Sequence, residues 1–135
     1  MSEYTRTHRW FDEVWHKGNE KAIDELMHEN AITHGLDLGD NENGTKAFKS
    51  FYHSFRSEFP SIHVKLETLV KTDDVEATHC NVTGKNSKGQ QVNFHGIVVV
   101  KFKDGKIIEG WNAFDFRKMH QQTGHRLVAV EGVVT

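Results

Sequence analysis

Apolar residues recur every three or four positions through the first half of the chain and every second position through most of the rest, so the periodicity changes from helical to extended near Pro60. Trp10, Phe11, Val14 and Trp15 fall on one face of a helix predicted from Tyr4 to Lys17, which Gly18 ends. Asn19 is placed to cap a second, short helix on which Ala22, Ile23, Leu26 and Met27 repeat the stripe. A short extended stretch, Ala31 to Leu36, and a polar loop, Asp37 to Asn43, come next. A third helix is predicted from Gly44 to Phe59, with Phe48, Phe51, Tyr52, Phe55 and Phe59 along one side and Pro60 as its stop.

After Pro60, Ile62, Val64, Leu66, Thr68 and Val70 alternate with polar residues as a half-buried strand should. Turns at Asp73-Asp74, Asn86 to Gly89 and Asp104-Gly105 separate three further strands, Val75 to Gly84, Val92 to Phe102 and Lys106 to Phe114. Helices followed by a meander predict an α+β fold. Its geometry would be three N-terminal helices packed on the concave face of a curved antiparallel sheet, a cone whose open end is a pocket. Gly96 and Gly110 lie inside long strands, where glycine marks a bend or bulge. Phe94, Val98, Val100 and Phe102 share one face of the third long strand and Ile97 and Val99 the other, so both faces of the sheet should be covered. The simplest cover for the convex side is a second copy of the chain across a two-fold axis. Arg126 to Val134 has the pattern of one more strand.

The 135 residues suit a single domain spanning 1–135 that builds its core without disulfides or structural metal, and the single Cys80 has no partner for a disulfide. The longest apolar runs, Ile97 to Val100 and Leu127 to Val130, are far short of the roughly 20 residues that cross a bilayer, so no membrane role is expected. Met1 to Arg9 lacks the basic start and apolar middle of a secretory signal, which makes a cytoplasmic location the expectation. A net charge of −2 with scattered Lys and Arg offers no basic stripe for nucleic acid.

Several of these segments together resemble the SnoaL-like polyketide cyclases. They are the opening helix with Trp10 and Trp15, the His of Ala31-Ile32-Thr33-His34, Gly44-Thr45-Lys46-Ala47 opening a Phe-rich helix, and Phe59-Pro60 before the first long strand. Phe102-Lys103-Asp104-Gly105-Lys106-Ile107, Glu109-Gly110-Trp111, Asp115 and Gln122-Thr123-Gly124 are similar to that group's ending. The likeness runs from about Tyr4 to Gly124. It implies the cone fold of nuclear-transport-factor-two-like proteins and a small apolar carbonyl compound as ligand. It also implies cofactor-free proton transfer, either an aldol-type ring closure or an isomerisation, with Asp115 as general acid and base; the alternatives are a noncatalytic carrier or sensor using the same cavity and a dimeric association module whose cavity is filled by side chains.

That chemistry requires a carboxyl in an apolar cavity, where desolvation raises its pKa towards the working pH. Asp115 has a second reading as the N-cap of a short helix beginning at Phe116. Trp111 shares strand parity with Asp115, about 13 Å away, and either lines the pocket deeper in or is ordinary core. Glu109 lies about 20 Å from Asp115 along an ideal strand. Paired-carboxylate glycosidase chemistry needs roughly 5 to 9.5 Å, which excludes it. His34 matches the group's cavity His and either orients a carbonyl against Asp115 or is bonded to backbone. His79 is placed in the same cavity, with adjacent Cys80 facing away, which argues against a Cys-His nucleophile. Trp15 and Tyr52 would border the ligand, Tyr52 with the only hydroxyl on its helical face. No metal motif occurs, and a site from His34, His79 and Asp115 is the one arrangement worth checking.

Overall fold

The computed structural model describes residues 3–38 and 43–125. The chain begins with a reciprocal cap: the Thr5 hydroxyl accepts from the His8 amide at 3.4 Å, and the His8 ring accepts from the Thr5 amide at 3.1 Å. This starts α1, Arg6–Trp10. From Phe11 the winding loosens into a π-helical turn, Phe11–His16, so the single predicted helix has two windings. The last carbonyls of that turn lack partners within it and are taken by side chains from α3, Gly44–Glu58. Tyr52 donates to the Val14 carbonyl at 2.8 Å and Arg56 to the Trp15 carbonyl at 2.7 Å.

The second helix, α2, is shorter than predicted, Lys21–Leu26. Its N-cap is Glu20, and Asn19 contributes only its backbone carbonyl, which accepts from the Ala22 amide at 3.1 Å. Met27 belongs not to this helix but to a strand, β1, Met27–His34. The other strands are β2, Ser61–Lys71, β3, Val75–Lys85, β4, Gln91–Lys103, and β5, Lys106–Phe114. A final helix, α4, runs over Phe116–Gln122. The five strands are ordered β1-β5-β4-β3-β2. β1 pairs parallel to β5, which corrects the expectation of a purely antiparallel sheet; the remaining pairs are antiparallel. Arg126 to Val134 lies outside the described residues.

The helices close over the concave face, where Val14, Ile23, Phe59, Cys80 and Phe94 are shielded from water. Each large apolar side chain buried in this way contributes roughly 1.5–3 kcal/mol. At Gly96 the ladders on both sides run without a shift, and the Phe114 ring occupies the space that a Cβ there would need. The irregular registers fall between Met27 and Ile32, between Leu66 and Thr68, and between Lys101 and Phe102, the last of these opposite Ile108 and close to Gly110.

One charged group is built into this layer. Glu76, only 2% exposed, accepts from the Thr7 amide at 3.0 Å and from the Thr7 hydroxyl at 2.6 Å, with the Arg6 guanidinium 3.8 Å away. It thereby fastens the first turn of α1 to the start of β3. Burial alone would raise the pKa of this carboxyl, but the bonds from Thr7 and Thr5 and the Arg6 charge outweigh that and hold it below the usual range. The ionised form therefore stabilises the fold above the unfolded pKa, and that contribution is lost as pH falls through the lower folded value. Glu76→Gln is expected to lower stability at neutral pH by about 1.5–3 kcal/mol. Urea unfolding across the acid range should show a flatter loss for the variant than for the wild type; parallel curves would contradict the assignment.

Candidate functional site

A cavity of about 90 Å³ lies between the helices and the concave sheet face. Its wall is mostly apolar, with aliphatic side chains and nine aromatic ones: Trp10, Phe11 and Trp15 from the N-terminal turns, Phe48, Phe51 and Phe55 from α3, and Phe94, Phe114 and Phe116 from the C-terminal half. Thr7, Thr33 and Asn112 supply its polar atoms, and among the described residues no ionisable side chain borders it. Asn112 gives one amide N–H to the His34 carbonyl at 3.0 Å. Beside it Gly35 has φ +84°, and a Cβ there would collide with the Asn112 carbonyl oxygen, so this close approach needs glycine.

Which side chains face the cavity is set by strand register. Phe94, Val98 and Val100 of β4 point inward, and their partners Val82, Asn112 and Gly110 do the same. On β5, Ile107 also lines the cavity, and in a regular strand Glu109 and Trp111 would follow it inward. The register shift opposite Lys101 and Phe102 leaves Ile108 unmatched, so the alternation flips. Gly110, Asn112 and Phe114 then face in, and Glu109 and Trp111 face out.

This corrects most of the expected site. Trp111 is 40% exposed on the convex face, its ring stacked on His34 with centroids 5.4 Å apart. His34 is exposed as well, and its Nε2 meets Glu109 Oε2 at 2.7 Å. His79 also points outward, to a 3.0 Å contact with His95, because the inward positions of β3 are Glu76, Thr78, Cys80 and Val82. Cys80 does lie on the side opposite His79, and burial pushes its thiol up to about 12, which leaves it protonated and unreactive. Tyr52 spends its hydroxyl on the Val14 carbonyl, is absent from the cavity wall, and has its pKa raised by burial. Of the ligand candidates Trp15 borders the cavity.

Asp115 is exposed to solvent, and its carboxylate accepts from the Lys118 amide at 3.0 Å. It is the N-cap of α4, so the desolvation required of an acid and base is missing. His34, His79 and Asp115 do not converge, and among the described residues no group of three or more His, Cys, Asp or Glu is placed to hold a metal. Also among the described residues, no helix is long and apolar enough to cross a membrane. The sequence reading missed Thr7, Thr33 and Asn112. The turn at Asp104-Gly105 together with the inward set Phe94, Val98 and Val100 carries the signal for Asn112, provided the unmatched residue is known.

The profile of the SnoaL-like polyketide cyclases matches residues 5–123, and the chain belongs to that family. A Bacillus cereus protein assigned to the polyketide cyclases is 28% identical, with TM-score 0.78 over 90% of this chain and 80% of that one. IdmH of Streptomyces antibioticus, assigned likewise, is 22% identical, with TM-score 0.76 over 88% of this chain and 96% of its own. An NTF2-like protein of unknown function from Burkholderia pseudomallei is 14% identical and superposes with TM-score 0.76 over 93% of this chain and all of its own. The last two likenesses show the cone fold alone. No curated protein matches.

Replacing Asp115 by Ala removes a helix cap, so the expected result is a loss of about 1 kcal/mol in chemical denaturation, with the cavity wall intact. Unchanged stability would contradict the capping role.

Proposed function

We propose that this chain holds a small apolar carbonyl compound in the cavity on the concave face. Rings bury the hydrocarbon part, and Asn112 or Thr33 offers the hydrogen bond that a carbonyl oxygen seeks. The observation that carries this reading is the wall itself: aromatic and aliphatic on most sides, polar at only three residues, and without an ionisable group among the described residues. Such a lining favours binding over proton transfer, because a general acid or base must reach the proton that it moves. The hollow, at about 90 Å³, is smaller than the roughly 150 Å³ cavity that takes benzene, so an aromatic guest enters with some outward movement of the lining rings. Cyclisation or isomerisation driven by Asp115 would need that carboxyl to leave its cap and turn inward.

Benzaldehyde, acetophenone and cyclohexanone are suitable probes. Ligand at a hundred times its dissociation constant stabilises by about 2.7 kcal/mol, enough to raise Tm by several degrees. At least one probe is expected to do so, more weakly in Asn112→Leu and unchanged in Asp115→Asn. Failure of all three to move Tm would count against the binding reading, and a product formed by the wild type but not by Asp115→Asn would favour the enzyme.

We also propose that a second copy covers the convex face. Ile32, Val70, Ile97 and Trp111 are 42%, 65%, 55% and 40% exposed, and all four point outward from the sheet. An apolar patch spread over that many strands suits an isologous contact, in which the same surface meets itself across a two-fold axis. Light scattering at micromolar concentration should give twice the mass of the chain, and Ile97→Asp should return it to one; a monomeric wild type would remove the proposal.

A further inference from the structure

The convex face carries a cluster that the cavity reading leaves unused. His79 of β3 and His95 of β4 are diagonal neighbours across the antiparallel ladder, in which His79 stands opposite Ile97 and Asn81 opposite His95. The His79 Nε2 and His95 Nδ1 atoms are 3.0 Å apart, and the two ring planes lie within 5° of parallel. Asn81 shares their outward side, and its Oδ1 is a buried side-chain oxygen with no hydrogen-bond partner among the described residues. A buried amide oxygen without a donor is a cost that folded proteins seldom leave uncompensated.

Two imidazole nitrogens directed at one another can be joined by one shared proton, and that proton does nothing for the orphaned oxygen. A metal ion takes both imidazole lone pairs, and Asn81, directly opposite His95 in the ladder, is the neighbouring residue able to add an oxygen. Zinc–imidazole bonds of 2.0–2.1 Å in a tetrahedral arrangement separate the two nitrogens by about 3.3 Å, a few tenths more than the gap between the rings here. Adjacent strands keep the two rings together, and chelation turns each ring so that its lone pair leaves the other nitrogen and points at the ion. We propose that His79, His95 and the Oδ1 atom of Asn81 form a site for one divalent d-block ion of the zinc, cobalt or nickel kind. Imidazole suits such ions, whereas magnesium and calcium prefer all-oxygen shells. Since no group of three His, Cys, Asp or Glu gathers anywhere among the described residues, water completes the coordination and the site is open, of micromolar rather than structural-zinc affinity. It stands on the opposite sheet face from the cavity and does not depend on what the cavity binds, but His79 lies opposite Ile97 of the patch assigned to a second copy, so a dimer must leave this cluster open at the edge of its contact.

Calorimetric titration of the full chain with zinc chloride alone, in a non-chelating buffer, tests this directly, with cobalt absorption as a second readout. The expected result is one ion per chain and cobalt d–d bands in the visible. His79→Ala and His95→Ala should each weaken binding at least about tenfold because each removes an imidazole ligand, and Asn81→Ala should weaken it less. His34→Ala, on the same face but outside the cluster, should leave binding unchanged, with circular dichroism confirming that every variant folds. No saturable binding by the wild type at millimolar zinc, or equal binding by the His79→Ala/His95→Ala double variant, would overturn the proposal.

Discussion

The residue left unmatched in β5, Ile108, decides which side chains line the cavity. Side chains on a strand alternate strictly, so one extra residue moves everything after it to the other face. Ile107 stays inside with the core, and Gly110, Asn112 and Phe114 follow it inward, while Glu109 and Trp111 stand on the outside. The inside of the cone is consequently hydrocarbon with an amide and hydroxyls. Most of the imidazoles and carboxylates that would do chemistry stand on the convex face or at the rim. Glu76 is the exception, and its hydrogen bonds to Thr7 commit it to holding α1 against the sheet.

The helical layer obeys a second constraint, the need of backbone carbonyls for donors. The π-helical turn Phe11–His16 carries Trp15 to the cavity wall and leaves the Val14 and Trp15 carbonyls to be satisfied from α3. Tyr52 and Arg56 meet that demand, which is why a hydroxyl in the middle of a Phe-rich stripe serves the scaffold rather than a ligand. The Phe114 ring, seated in the space that Gly96 leaves, closes the sheet side of the same hollow.

The α+β class, the Phe-rich face of α3, the long strands and the family were legible from periodicity and motif, because burial on one face imposes a period that sequence displays directly. The parallel pairing of β1 was not, since Met27 continues a helical stripe until tertiary pairing with Ile107 draws it into the sheet. Parity after the bulge was legible only in part: Gly110 marks an irregularity two residues from Ile108 without showing which residue is unmatched. Asp115 carried two sequence readings, and the capping geometry selects one of them. On a cone fold that hosts unrelated activities, family membership sets the shape of the hollow and leaves its chemistry to the residues that face it.

The central claim is that a ligand meets the concave aromatic wall and no titrating side chain. Intermolecular nuclear Overhauser effects from benzaldehyde to the labelled protein test it most directly. The account predicts contacts to the ring protons of Phe94 and Phe114 and to the Val98 methyls, with none to Trp111 or His34. Contacts confined to Trp111 and His34 would place the binding surface on the convex face and contradict it.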